Sequence, residues 1–181
     1  MEPRDRVRAA LARGAFDRLP IKHLAVAEVD RRLSEHFCLR HEADLLDRLG
    51  HDFREIRPVY RGPDFGPMDS EHGIISGSAA EFIPTLIADG LDVLDVVQTS
   101  AAGMDLAELK RRFGSELAFA GTFCVQHVLP HGTPAQVRAE VRRRLDLFAD
   151  GGLIFGPSHQ IQPDAPTANI LAMYEAAGGI R

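Results

Sequence analysis

Apolar residues recur along this chain in two alternating rhythms. Short runs of consecutive apolar residues, Leu153-Ile154-Phe155 the clearest, are followed by stretches in which apolar side chains return every three or four positions. The first pattern suits a strand buried on both faces, the second a helix with one face turned to a core. Val29, Leu33 and Phe37 share one stripe of a helix expected over residues 28–37. Leu106, Leu109 and Phe113 do the same over 105–113, with Gly114 as the stop. Val7 and Leu11 mark a short helix over 5–13, and residues 42–49 another that ends at Gly50. Thr133, Pro134 and Gln136 supply an N-cap, a first-turn proline and a capping-box partner for a helix reaching about Phe148. Residues 79–88 fit a helix if Pro84 kinks it or lies in its first turn, and residues 168–177 form the closing helix. Strands are expected at 21–26, 53–60, 92–97, 117–120 and 153–155, with Pro58 weakening the end of the second.

Strands that alternate with helices imply parallel βαβ units, hence an α/β fold. Polar residues gather where the strands end: Gln98-Thr99-Ser100, then Gln126-His127, then Ser158-His159-Gln160. Ligands bind at that edge both in barrels and in doubly wound sheets. No glycine-rich nucleotide fingerprint or P-loop is present, which weakens the nucleotide-binding versions of the doubly wound sheet. The rhythm collapses over residues 61–77, which hold four glycines and two prolines. This is the candidate junction in what otherwise reads as a single domain over 1–181.

Composition narrows the functional classes. The 181 residues are 45% hydrophobic and 26% charged, with a net charge of -5, an ordinary globular balance that argues against nonspecific nucleic-acid binding. The arginines between Arg138 and Arg144 are interrupted by Glu140 and read as a solvated helix face. Cys38 and Cys124 make no disulfide framework, and neither has a partner at zinc-finger spacing. With a polar start and no long apolar run, a soluble cytoplasmic protein with reduced thiols and no membrane contact is expected.

Four stretches resemble the uroporphyrinogen decarboxylase superfamily, in that family's order: residues 4–20; Leu49-Gly50-His51-Asp52-Phe53 with Val59-Tyr60-Arg61-Gly62; residues 81–90 with 92–98; and Met104-Asp105 through 122–130 to Tyr174. The second is similar to an early strand of the cobalamin-linked methyltransferase branch. The resemblance implies a TIM-type barrel, whose complete form takes roughly 250 residues and eight strands. Five strands in 181 residues imply a partial or shortened barrel, with 61–77 as a junction across missing middle units. An open parallel sheet leaves edges uncovered, so a homodimer is expected.

The resemblance also assigns roles. His159 is the expected catalytic residue, facing the cleft from the last strand end. Ser158, Gln126, His127 and Gln98 are expected to bind substrate, although His127 before Val128-Leu129-Pro130 fits a structural turn equally well. Asp164 reads as ordering the start of the last helix. The decarboxylases carry an arginine-rich loop after the first strand; Lys22 and His23 are the cationic candidates in its place. Asp64 is the nearest match to the family's pyrrole-binding aspartate and reads better as a loop residue. The methyltransferases' His-x-Cys zinc pair falls on Ile74 and Ser76, with His72 two residues too early, so no metal is expected. The implied ligand is an acidic tetrapyrrole or a corrinoid-linked small molecule, with activity weak or lost. The alternatives are a cobalamin/thiol methyltransferase-like protein, needing zinc or corrinoid, and a non-catalytic half-barrel that assembles with itself or a full-length relative.

Overall fold

Parallel strands laid edge to edge, with helices on one side, give the chain its frame. The computed structural model of the protein describes residues 1–53 and 78–180, the side chain of Glu42 excepted. In chain order the elements are α1 (Pro3–Leu11), α2 (Ala27–His36), α3 (Glu42–Arg48), α4 (Ile83–Ala88), β1 (Val93–Asp95), α5 (Leu106–Phe113), β2 (Ala118–Ala120), α6 (Val128–His131), α7 (Pro134–Leu147), β3 (Leu153–Ile154) and α8 (Thr167–Ala176). The three strands lie in the order β1-β2-β3, all parallel, with Leu94 opposite Phe119 and Phe119 opposite Leu153.

The sheet does not stop at β3. Phe155 bridges Ile21 in parallel, and Ala25 bridges Ile161. On the far side of Ile21, the Asp52 N–H donates to the Ile21 carbonyl at 2.9 Å. The backbone order is therefore β1, β2, β3, Ile21, Asp52, so the last strand is joined to the first stretch of the chain. That is how a barrel closes on itself, and the fold is a partial barrel of parallel β/α units.

Alternation along the strands decides what each face carries. Leu94, Phe119 and Leu153 face the helices; Phe119 meets Phe148 at the end of α7 edge-on, with ring centroids 5.8 Å apart. The opposite face carries Asp95, Ala118, Ala120 and Ile154, mostly small side chains. The core lies in the helical layer, where α8 packs on α7 and contributes Ile170, Met173 and Tyr174, all fully buried.

Local chemistry explains the helix starts. Thr133 and Gln136 form the reciprocal capping box of α7, with Gln136 N donating to Thr133 Oγ1 at 3.3 Å and Thr133 N to Gln136 Oε1 at 2.8 Å. Asp105 caps α5 by accepting from Glu108 N at 2.9 Å. Pro84 lies in the first turn of α4, where a missing N–H costs nothing. At the last helix Pro166 stands at the N-cap of α8, and no side chain caps it.

Two expectations change, and a third lies outside the described residues. The strand over 21–26 is reduced to two isolated bridges because the backbone changes partners along it. Lys22 N donates to the Phe155 carbonyl, His23 N to the His51 ring, and Val26 N to the Ile161 carbonyl, so no regular ladder forms. Of the strand over 53–60, all but Phe53 lies outside the described residues, as does the expected junction at 61–77. A short helix, α6, follows β2 in a stretch for which no helix was expected.

Below the strands, at their N-terminal ends, a buried ionic network ties the N-terminal helix to the sheet. Asp52, with its side chain 1% exposed, accepts from Arg6, from Arg18 at 2.5 Å and from the Ile21 N–H at 2.9 Å. Arg6 in turn donates to both oxygens of Asp17, which also holds the N-terminal amine at 3.1 Å.

Candidate functional site

The C-terminal ends of the strands bring together residues from four parts of the chain. At their centre Lys22 Nζ lies 2.5 Å from Asp95 Oδ2. Lys22 follows the Ile21 bridge and Asp95 ends β1, so β2 and β3 run between them. In a flat sheet their backbones would stand about 14 Å apart, three strand spacings. The side chains meet because the sheet curls, as a barrel wall does. The residues under the pair are bare. A Cβ on Gly156 would come within 2.5 Å of the Lys22 carbonyl oxygen. Gly121, at φ +59, has Val96 Cγ1 and Asp95 Oδ1 within 3.2 Å of where its Cβ would stand.

Just beyond those glycines are two hydroxyls without partners among the described residues. Thr122 is fully buried and Ser158 is 1% exposed, yet neither Thr122 Oγ1 nor Ser158 Oγ has a hydrogen-bond partner there. Their strand ends are joined: Phe123 bridges Pro157, and Ser158 N donates to the Phe123 carbonyl at 2.8 Å. Leaving a buried hydroxyl unmatched costs about 1–3 kcal/mol, so such groups call for a role. The position of Thr122 is itself fixed from the helical layer. Arg144 donates to its carbonyl from Nε at 3.2 Å and from Nη2 at 3.1 Å, while its guanidinium covers the Phe123 ring.

The residues expected to bind substrate fall into two groups. Gln98 and Gln126 are joined directly, Nε2 to Oε1 at 2.8 Å, with Ser100 bonded to both. Ser100 of this cluster lines a cavity of about 620 Å³ between α5 and α7, which His127 and Cys124 also line. His127 is exposed and precedes α6 without capping it. Cys124 is buried against the same cavity. Its far wall is Glu140, Arg143 and Arg144. Burial pushes the Glu140 carboxyl up, but hydrogen bonds from Arg143 and Arg144 outweigh it and hold it below the ordinary carboxylate range. The second group is Ser158 and His159 at the end of β3. Ser158 is buried and His159 is exposed.

Of the two cationic candidates, His23 is already committed. Its ring sits between the Tyr174 hydroxyl, 2.6 Å from Nδ1, and Asp30 Oδ1, 2.8 Å from Nε2. Burial, with the Asp30 charge adding to it, pushes the Tyr174 hydroxyl well above its ordinary range, so it stays protonated as a bonding partner. His23 thus locks α2 and α8 to the sheet, and Lys22 is the one that faces the strand-end concavity.

No cluster of three or more His, Cys, Asp or Glu suited to a metal ion occurs among the described residues. His72 and Asp64 lie outside them. Sequence reasoning passed over Asp95, Thr122 and Arg144. Asp95 carried a signal: it is a carboxylate inside a strand that is otherwise apolar, Val93-Leu94-Asp95-Val96-Val97. Thr122 and Arg144 carried none, since their roles depend on tertiary contacts.

Residues 73–179 match the family described as uroporphyrinogen decarboxylase (URO-D). No match to a curated protein accompanies this. The matched span contains all three strands and their polar ends, from Asp95 and Gln98 through Gln126 to Ser158 and His159. It covers more than half of the chain, and its parallel β/α units curl as that family's barrel does: the chain belongs to the uroporphyrinogen decarboxylase family.

Proposed function

We propose that this protein binds an acidic small molecule, an acidic tetrapyrrole or a corrinoid-linked substrate, at the C-terminal ends of its strands, with decarboxylation weak or lost. The observation that carries the reading is the strand-end face itself. There Lys22 and Asp95 meet over a bare glycine floor, and two buried hydroxyls beside it have no partner among the described residues. Lys22 would receive a carboxylate, Ser158 and Thr122 would bond ligand oxygens, and Gln98 and Gln126 would offer amides at the rim. His159, exposed at the same edge, is the residue placed to exchange a proton with a bound ligand. Low activity follows from charge. A polycarboxylate substrate calls for several guanidinium contacts, and among the described residues this face offers Lys22, already paired. A cytosolic setting with free thiols suits the reading; no described helix is long and apolar enough to cross a membrane.

The methyltransferase alternative would place zinc or a corrinoid here. The described donors do not fit zinc: Cys124 and His127 line one cavity, but no third ligand joins them. The half-barrel alternative has more in its favour. The outer edge of β1 has no strand partner among the described residues, and a second copy or a full-length relative would cover it.

Titration with uroporphyrin, followed by porphyrin fluorescence, tests the binding. Saturable binding that falls at least tenfold in Ser158→Ala and His159→Ala supports the reading; binding unchanged in both removes it. Uroporphyrinogen turnover at a rate typical of an enzyme would remove the claim of lost activity. A compact monomer by sedimentation at micromolar concentration would remove self-assembly.

A further inference from the structure

Among the described residues Lys22 is the cation that the strand-end concavity presents to an acidic ligand, and a carboxylate of the chain already holds it. Both partners remain in contact with solvent, with side chains 26% and 39% exposed, so a solute can reach either. The pair is held from opposite sides of two intervening strands, and no side chain from Gly121 or Gly156 fills the space beneath.

We infer that Asp95 is an internal competitor for the acid-binding position: it occupies Lys22 as a ligand carboxylate would, and an acidic ligand binds there by displacing it. This rests on the strand-end face being the acid-binding site. The consequence is selectivity. A monocarboxylate exchanges one ion pair for an equivalent one, with Asp95 still nearby to repel it. A ligand with several carboxylates keeps contacts after the exchange and gains from the remainder. Gly121 leaves Asp95 room to turn aside, because a Cβ there would come within 3.2 Å of Asp95 Oδ1 and 3.0 Å of Val96 Cγ1. If Asp95 instead contacted the ligand directly through a donor group, removing its charge would weaken binding. The sign of the effect separates the two arrangements.

The test is calorimetric titration of the full chain with citrate, and with acetate as the single-carboxylate control, at low salt. Wild type, Asp95→Asn, Lys22→Met and the double variant are compared, each checked for folding by circular dichroism, with Asp95→Ser as a second charge-removing variant. Asp95→Asn is expected to bind citrate roughly fivefold tighter than wild type, the size of effect that a half-exposed ion pair supports. Lys22→Met and the double variant lose that binding, and added salt shrinks the gain. Equal or weaker citrate binding by Asp95→Asn overturns the inference. So does a double variant that binds like Asp95→Asn, or binding by none of the proteins. Uroporphyrin titrated into the same set separates this inference from the functional reading. If citrate follows the pattern and uroporphyrin binds to none of the four, the tetrapyrrole fails and the competitor stands. If uroporphyrin binds all four alike, the competitor fails and the tetrapyrrole stands.

Discussion

The two ends of the sheet treat polar groups in opposite ways. At the N-terminal ends, Arg6, Arg18, Asp17, Asp52 and the chain amine form a network in which each charge is matched by another, with Asp52 accepting a backbone N–H as well. At the C-terminal ends, Thr122 and Ser158 are buried without partners among the described residues, Lys22 and Asp95 meet half in solvent, and His159 is exposed. Both regions are polar, but the first pairs its charges with one another, with Arg18 Nε left over, whereas the second leaves two buried hydroxyls without partners among the described residues. In parallel β/α folds the first condition belongs to stability and the second to ligands.

Breaking the closed network should produce the largest effect. Asp52→Ala takes from Arg6, which is 3% exposed, one of its two carboxylate partners, Asp17 being the other, and removes the acceptor for Arg18 and the Ile21 N–H. Hydrogen bonds to charged groups are worth about 1.5–3 kcal/mol each, so urea denaturation would register a large drop in the midpoint. A loss below about 1 kcal/mol would mean that the network is not what holds α1 to the sheet.

Extremes of pH probe the same contrast. Hydrogen bonds from Arg6 hold the Asp17 carboxyl well below the usual carboxylate range, against a smaller opposing effect of burial. In the folded state Asp17 therefore keeps its charge to lower pH than in the unfolded chain. Its contribution is full above the unfolded value near 3.8 and is lost as pH falls further. Tyr174 behaves in the opposite sense. Its folded value is raised above 10.0, so its contribution is full below that and is lost as pH rises through the folded value. Thermal melts against pH should fall at both ends. In Tyr174→Phe the alkaline fall should shrink, whereas an unchanged alkaline limb would assign it elsewhere.

Smaller effects follow at the helix cap and at the open edge. Thr133→Ala removes half of the capping box of α7 and should cost about 1 kcal/mol. Ser158→Ala removes a hydroxyl that has no partner among the described residues, so stability should change by less than about 1 kcal/mol or rise slightly. Its effect should appear in ligand binding. A large loss of stability in Ser158→Ala would mean that the hydroxyl is part of the fold.

The contrast also shows what a sequence can disclose. Helices with an apolar stripe and a local start signal, α5 and α7 above all, were legible because the capping side chains sit within three residues of what they bind. The parallel β/α units followed from the alternation of elements, and the partial barrel from family resemblance. The strand over 21–26 was misread because its apolar run says nothing of partner changes: a histidine ring, not a carbonyl, meets His23 N. At the site, Gln98 and Gln126 were found as polar residues after strands, and the structure joins them. Asp95 was overlooked because a lone carboxylate in a strand gains meaning only when Lys22, 73 positions away in sequence, is seen beside it.

The most direct test of the central claim, that the open end of the sheet is the ligand face, is a two-dimensional amide NMR titration of the full chain with uroporphyrin. The ring current of a bound porphyrin should shift the amides of Lys22, Asp95, Thr122, Ser158 and His159 and leave those of Arg6, Asp17 and Asp52 in place. Shifts centred on the N-terminal network, or none at saturating porphyrin, would contradict it.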